Sequence, residues 1–423
     1  MMELVSPTVV TRRGFLKELA ATGASALLVP HLPGVGPLAS LVTPSLRIGL
    51  LMPSFQAYPR VGASFLDGMA LFVAQSDGLH NLQLRAADAG SQAGLSQHEL
   101  EQLCQEAQPD VVVSMANPSL TDGLQPLLEQ AAVPLMISHA GANRLEKQEA
   151  NVFYNTLGYW QASYRAGAYA ADALGRRAVV VSSFYESGYD ALYAFEQGLA
   201  AQGGQVVGRH VTHVPASGFT MPGLMRRIAA AAPDFVYGQF SGPAAADFVT
   251  AYSSSRYTRL LPLLGSTFLM ENTLPGPAAG AVAQLKSVSS WSPSLELVEN
   301  TRFVKAFRSR YGRAPDSFAV LGYDTAGLLS AAADAAGDDT ARAQRSGFAT
   351  ALRKAQFRGP RGLLAMDGAT QSIVPRLYLR EVTWEGIAYG SRILRDLPPV
   401  AEQLAHVQSD SPRTGWLNPY LSI

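Results

Sequence analysis

From residue 46 onward the chain alternates short apolar runs with stretches of helical spacing. Residues 46–52, 82–86, 110–114 and 134–138 read as buried or half-buried strands. Between them, 65–74, 99–108 and 120–131 place apolar residues at helical intervals. The rhythm then restarts. Strands are expected at 177–182, 205–208, 234–237 and 261–264, and helices at 159–174, 190–202, 224–232 and 244–253. Helices follow at 296–311, 318–336 and 341–354, then a turn or hairpin over 357–373 and a final strand over 376–382. A repeated βαβα pattern implies α/β architecture: two doubly wound parallel sheets, each with helices on both faces. No low-complexity linker divides the halves, so two closely packed lobes with a cleft between them are expected.

Composition narrows the class. The chain has 423 residues and a formal net charge of +0, with 48% hydrophobic and 16% charged residues. That length suits two domains of ordinary size. The charge balance argues against a nucleic-acid binder, which needs a basic surface, and against a disordered or polybasic membrane-surface protein. A single cysteine, Cys104, excludes an intrachain disulfide framework and a Cys-rich metal site, and it reads as a small buried hydrophobe. The low charge would suit either a membrane protein or well-buried cores. No run approaches the roughly 18 apolar residues of a spanning helix, which leaves the cores.

The amino terminus reads as an address. Thr11, Arg12, Arg13, Gly14, Phe15, Leu16 and Lys17 resemble the twin-arginine export signal. A weakly apolar stretch over 19–29 and small residues near Ala39 and Ser40 complete a signal peptide over 1–40. No cysteine follows the apolar stretch, so no lipid anchor is expected. The mature chain then begins near residues 41–46, exported and without membrane insertion.

A search for chemistry finds little. None of the five lysines (17, 147, 286, 305, 354) follows a glycine, which removes a phosphate-cradling loop. No Gly-x-Gly-x-x-Gly follows a strand, and no Gly-x-Ser-x-Gly elbow is present. His98 and Glu99 open like a zinc-protease helix, but position 102 is Gln. His210 and His213 read as solvated rather than as a metal pair. A binding module without catalysis or cofactor is the economical reading.

Several segments carry a resemblance. They are 48–53 (Ile-Gly-Leu-Leu-Met-Pro), 65–69 (Phe-Leu-Asp-Gly-Met), 110–114, 133–138, 303–307 with Tyr311 and Gly312, 314–316, 321–324, and 357–362 with 366–368. In this order, from about 46 to 393, they resemble the type I periplasmic solute-binding proteins, the leucine/isoleucine/valine-binding group that serves ABC importers. The resemblance implies two doubly wound lobes joined by three crossovers, near Thr156, Val288 and Pro375. Lobe one would comprise 46–156 and 289–374, lobe two 157–288 and 375–400, and 401–423 a tail. It implies a monomer that delivers a small ligand to an ABC permease.

The resemblance also implies the site. Lobe one would grip a ligand carboxylate through Asn117, Ser119, Ala140 and Ala142, the alanines by main chain, aided by helix N-termini. Ser119 is equally readable as a helix cap. Phe55 and Tyr58 would supply an aromatic wall. Lobe two would contribute Tyr185 or Tyr189, Phe240 or Ser241, and Thr267 or Phe268; Phe318 matches a family aromatic. Core packing is the competing reading for each aromatic. One departure stands out. Amino-acid-binding members usually pair the ligand ammonium with a lobe-two carboxylate, and residues 265–268 (Gly-Ser-Thr-Phe) hold none. An ammonium desolvated without a partner is costly. Either Glu186, Asp190 or Glu271 takes that role, or the ligand is an amide, an aromatic acid or another small organic acid. A periplasmic sensor with a separate signalling partner is a second reading, and a cleft enzyme a third, without a supporting motif.

Overall fold

The computed structural model describes residues 45–52, 59–76, 81–88, 93–115, 125–141, 151–184, 186, 190–212, 221–271, 285–336, 345–368, 370–384 and 389–398. The expected signal peptide at 1–40 and tail at 401–423 lie outside them. In chain order the first sheet takes β1 (Ser45–Met52), β2 (Asn81–Asp88), β3 (Val111–Ser114), β4 (Leu135–Ile137) and β5 (Val152–Tyr154), interleaved with helices α1 (Pro59–Gln75), α2 (Ala93–Ala107) and α3 (Gln125–Gln130). The second sheet takes β6 (Arg177–Ser183), β7 (Gln205–Thr212), β8 (Phe235–Gln239), β9 (Leu263–Gly265) and β10 (Lys286–Ser289), with α4 (Tyr159–Ala173), α5 (Asp190–Ala201), α6 (Met221–Ala230) and α7 (Gly242–Ser253). Helices α8 (Val298–Tyr311), α9 (Ser317–Ala336) and α10 (Arg345–Leu352) return to the first sheet, followed by β11 (Gln356–Gly359), β12 (Gly362–Asp367) and β13 (Ser372–Ile373). The hairpin β14 (Leu377–Trp384) and β15 (Tyr389–Leu397) closes the second.

The strand orders are β11-β12-β13-β5-β4-β3-β1-β2 and β15-β14-β10-β9-β8-β6-β7. Both are parallel through the middle and antiparallel at one edge, where β11–β13 and β14–β15 add hairpins. The central strands are apolar on both faces because helices cover both. In β6 successive side chains part: Val179 and Val181 pack with Leu224, Ile228 and Phe248, while Ala178 and Val180 pack with Ala166, Phe195 and Leu199. Neither face is left to water, so few of these positions take a charge.

Three strands escape the sequence pattern. β5 and β10 have only three and four residues, too few to show a period. β15 is mostly polar and half exposed. The chain passes from the first sheet to the second between Tyr154 and Tyr159, returns between Ser289 and Val298, and crosses again between Ile373 and Leu377. Val288, near which the second passage was expected, pairs with Leu379 inside β10, and the passage follows it.

One helix pair in each half meets backbone to backbone at glycines. A Cβ on Gly322 would stand 1.9 Å from the Phe65 carbonyl oxygen, where α9 crosses α1. A Cβ on Gly198 would stand 1.9 Å from the Tyr164 carbonyl oxygen, where α5 crosses α4. The first passage is anchored from the far end of the chain. Arg361, in the β11–β12 turn, donates Nη1 to the Thr156 carbonyl (2.8 Å), Nη2 to Asn155 Oδ1 (2.6 Å) and Nε to Asp324 Oδ2 (2.5 Å).

Candidate functional site

Strands of the second sheet run parallel, so their carboxyl ends share an edge: Ser182 pairs with Gln239, and Gly238 with Gly265. Open α/β sheets bind ligands beyond such edges. Just past them lie Glu186, Phe240, Ser241, Thr267, Phe268 and Glu271, none more than 8% exposed.

Glu186 is fully enclosed. Its N–H donates to Ser183 Oγ at 3.1 Å, and Gln239 Nε2 donates to its carbonyl at 2.9 Å. Ser241 Oγ donates to its Oε1, while Oε2 has no hydrogen-bond partner among the described residues. Burial pushes the carboxyl up to about 8, against the pull of the Ser241 hydroxyl. Asp190, one turn on at the start of α5, is likewise raised to about 8 by burial, opposed by its own N–H and that of Ala191. Both acids therefore hold their protons at neutral pH. Burial, with Glu186 near by, also raises the Tyr237 phenol.

The Thr267 segment reaches the other lobe. Thr267 Oγ1 donates to the Val288 carbonyl at 2.7 Å. Phe268 meets Tyr159 edge-on at 4.9 Å and stacks on Phe318, at the start of α9, at 5.8 Å with 13° between the rings. Glu271 Oε1 accepts the Ser317 hydroxyl, and its Oε2 accepts the Ser317 N–H at 3.3 Å. Behind Glu271 stands Arg380 of β14, with Nη1 at 3.7 Å from Oε1. Arg380 also donates to the Thr267 carbonyl, to Ser287 Oγ (2.9 Å) and to the Trp291 carbonyl (3.5 Å). Burial raises the Glu271 carboxyl; Arg380 and the Ser317 hydroxyl oppose it.

In lobe one, Ala140 lies just past β4 and is buried. The Gly141 N–H donates to His139 Nδ1 at 2.8 Å. Burial lowers that imidazole to about 4, so it is neutral at neutral pH. Gly141 has φ of +89°, and a Cβ there would meet Thr156 Oγ1 at 2.6 Å. Glycine thus lets the loop press on the first crossover.

Of the site residues singled out by sequence, Ala140, Phe240, Ser241, Thr267, Phe268 and Phe318 are described, as are the three candidate acids Glu186, Asp190 and Glu271. Phe55, Tyr58, Asn117, Ser119, Ala142, Tyr185, Tyr189 and His213 lie outside the described residues. The structure brings Thr267, through Phe268, to Phe318, and Ser241 to Glu186. The Phe240 ring stacks on Phe248 at 4.3 Å within the apolar core, as its packing reading anticipates. Sequence reasoning missed Arg380 and Ser317. Arg380 sits in an apolar-rich strand pattern, where a buried cation is a signal worth following. Among the described residues no three His, Cys, Asp or Glu side chains are placed to hold a metal, and no helix is long and apolar enough to cross a membrane.

Two similar α/β lobes, with buried polar groups just past the strand ends of each, define a two-lobed solute-binding fold. The periplasmic binding protein family model matches residues 45–386, and the chain belongs to that family. A Leu/Ile/Val-binding protein homolog of Brucella melitensis is 26% identical over 264 residues, 61% of this chain and 66% of that protein. The match thus spans just under two thirds of that relative. An ABC transporter substrate-binding protein from Sphaerobacter thermophilus superposes with a TM-score of 0.75 at 20% identity, covering 90% of this chain and all of the other. A solute-binding protein of an ABC transporter from R. palustris, in complex with benzoate, gives 0.72 at 28% identity over 85% of this chain and 98% of the other.

Proposed function

We propose that this periplasmic binding protein is exported by the twin-arginine route, captures a small organic acid with an apolar or aromatic body, and delivers it to an ABC permease. One observation carries the choice of ligand: among the described residues, the three lobe-two acids just past the strand ends, Glu186, Asp190 and Glu271, offer no free carboxylate. Glu186 and Asp190 hold protons at neutral pH, and Glu271 is committed to Ser317 and Arg380. The guanidinium of Arg380 keeps its charge, so the lobe-two edge is neutral to positive. Such an edge tolerates a monoanion and leaves an ammonium without a partner. Removing one member of a buried ion pair costs about 3–5 kcal/mol. The R. palustris neighbour's benzoate complex supports the same class. In this reading Asn117, Ser119 and the main chain at Ala140 and Ala142 grip the carboxylate. Phe55, Tyr58, Tyr185, Tyr189, Ser241, Thr267 and Phe318 enclose the body.

Calorimetry of the mature protein tests the assignment with a matched pair, leucine and 4-methylpentanoate, which share a skeleton and differ by the amine. Benzoate and 4-hydroxybenzoate extend the panel. The acids are expected to bind, and leucine at least about 100-fold more weakly than 4-methylpentanoate. Leucine binding as tight as its deaminated counterpart would overturn the ligand class.

A further inference from the structure

Phe268 and Glu271 carry lobe two onto lobe one, and both land on the first turn of α9. Glu271 is built for that contact. Asp316 Oδ1 already accepts the N–H groups of Phe318 (3.1 Å) and Ala319 (2.9 Å). The Ser317 N–H of the same turn is served from the opposite lobe by Glu271 Oε2. The Glu271 carboxyl thus serves an N–H that the first turn of this 20-residue helix cannot satisfy from within. Arg380 holds the carboxylate from behind. The guanidinium is itself fixed by carbonyls on either side, Thr267 before β10 and Trp291 in the passage after it. The loop that reaches lobe one is thereby tied to the second crossover.

We propose that Glu271, positioned by Arg380, is a clasp that holds the two lobes closed by capping α9 across the cleft, with the Phe268–Phe318 stack beside it. Opening the cleft must break the Glu271–Ser317 bonds, whereas the Glu271–Arg380 pair lies wholly within lobe two and travels with it. The clasp therefore sets how closed the protein is before any ligand arrives and how slowly a captured ligand leaves. Its role in ligand retention rests on the receptor reading above. Its role in closure does not.

The test measures the ligand-free protein. Spin labels are placed at Gln102→Cys on α2 and Ala200→Cys on α5 in a Cys104→Ser background. Both positions are exposed, and both helices adjoin the edge strands β2 and β7, far from the crossovers. Wild type is expected to show mainly the short interlobe distance. Glu271→Ala and Ser317→Ala are expected to move most of the population to a longer one, with Ser317→Thr restoring it. Ser317→Ala leaves the Arg380 pair intact and so covers the case in which Glu271→Ala folds poorly. With benzoate as probe, Ser317→Ala should speed dissociation about tenfold and change association far less. Superposable distance distributions for wild type and Ser317→Ala would overturn the clasp. Failure of benzoate to bind wild type would count against the aromatic-acid reading alone, because the ligand-free distances still decide the clasp.

Discussion

Glu186 and Asp190 show how a single side chain links burial to pH. Both are acids that fold in the protonated form. In the unfolded chain they lose their protons near 4.5 and 3.8, and in the folded protein only near 8. Between those limits the native state binds more protons than the unfolded state, so their contribution is complete below pH 4 and is lost as pH rises toward 8. Each contributes a slope of up to about 1.4 kcal/mol per pH unit inside its window. The melting temperature is accordingly expected to fall by several degrees between pH 5 and pH 8. Glu186→Gln, which mimics the protonated acid, should weaken that dependence and melt above wild type at pH 8.5. A pH-independent melting curve for wild type would refute the assignment.

At the scale of elements, the helices lean on glycine where two of them must touch. Gly322→Ala or Gly198→Ala drives a methyl group into a carbonyl of the facing helix at 1.9 Å, and the helices must part. Such overpacking costs about 1–3 kcal/mol, or more where backbone cannot yield. Gly368→Ala, with nothing within 4 Å of the added Cβ, is the matched control and should change the denaturant midpoint little. These glycines also mark where reading the sequence succeeds and stops. Gly68 and Gly322 fall inside motifs that resemble the family's first and carboxy-terminal helices, yet only coordinates show that they face one crossing. Long apolar runs such as Val111, Val112 and Val113 announce strands because both faces are covered. Lys286 to Ser289 does not, since its polar residues are buried by partners: Ser287 bonds Arg380 93 positions away, and Lys286 pairs with Glu381. The site divides in the same way. That Thr267 follows a strand end and that Phe318 opens a helix was legible in the sequence. The Ser317–Glu271 bond was not, because its members lie 46 positions apart with no shared periodicity.

At the scale of the whole molecule, the two lobes are joined by three strands of chain and braced at the first by Arg361. That side chain is 1% exposed, and its partner Asp324 is fully buried. Arg361→Ala would leave the Asp324 carboxylate uncompensated, which costs about 3–5 kcal/mol for a buried pair. It would also free the carbonyl of Thr156 and the amide of Asn155 at the crossover. A clear drop in the urea midpoint is expected, and a midpoint within error of wild type would show that the brace contributes little.

The order in which the strands are made has a consequence for how the protein comes into being. Tyr154, the end of β5, finds its neighbour in Ser372, and β10 finds its antiparallel neighbour only in β14. Synthesis of the whole second lobe except its edge hairpin intervenes before the first sheet can be completed, and that hairpin follows β13 in the chain. A growing chain can therefore finish the first sheet only once β11–β13 exist, and the second only once β14 and β15 follow. Contacts this distant in sequence slow folding, so the two lobes are expected to complete nearly together.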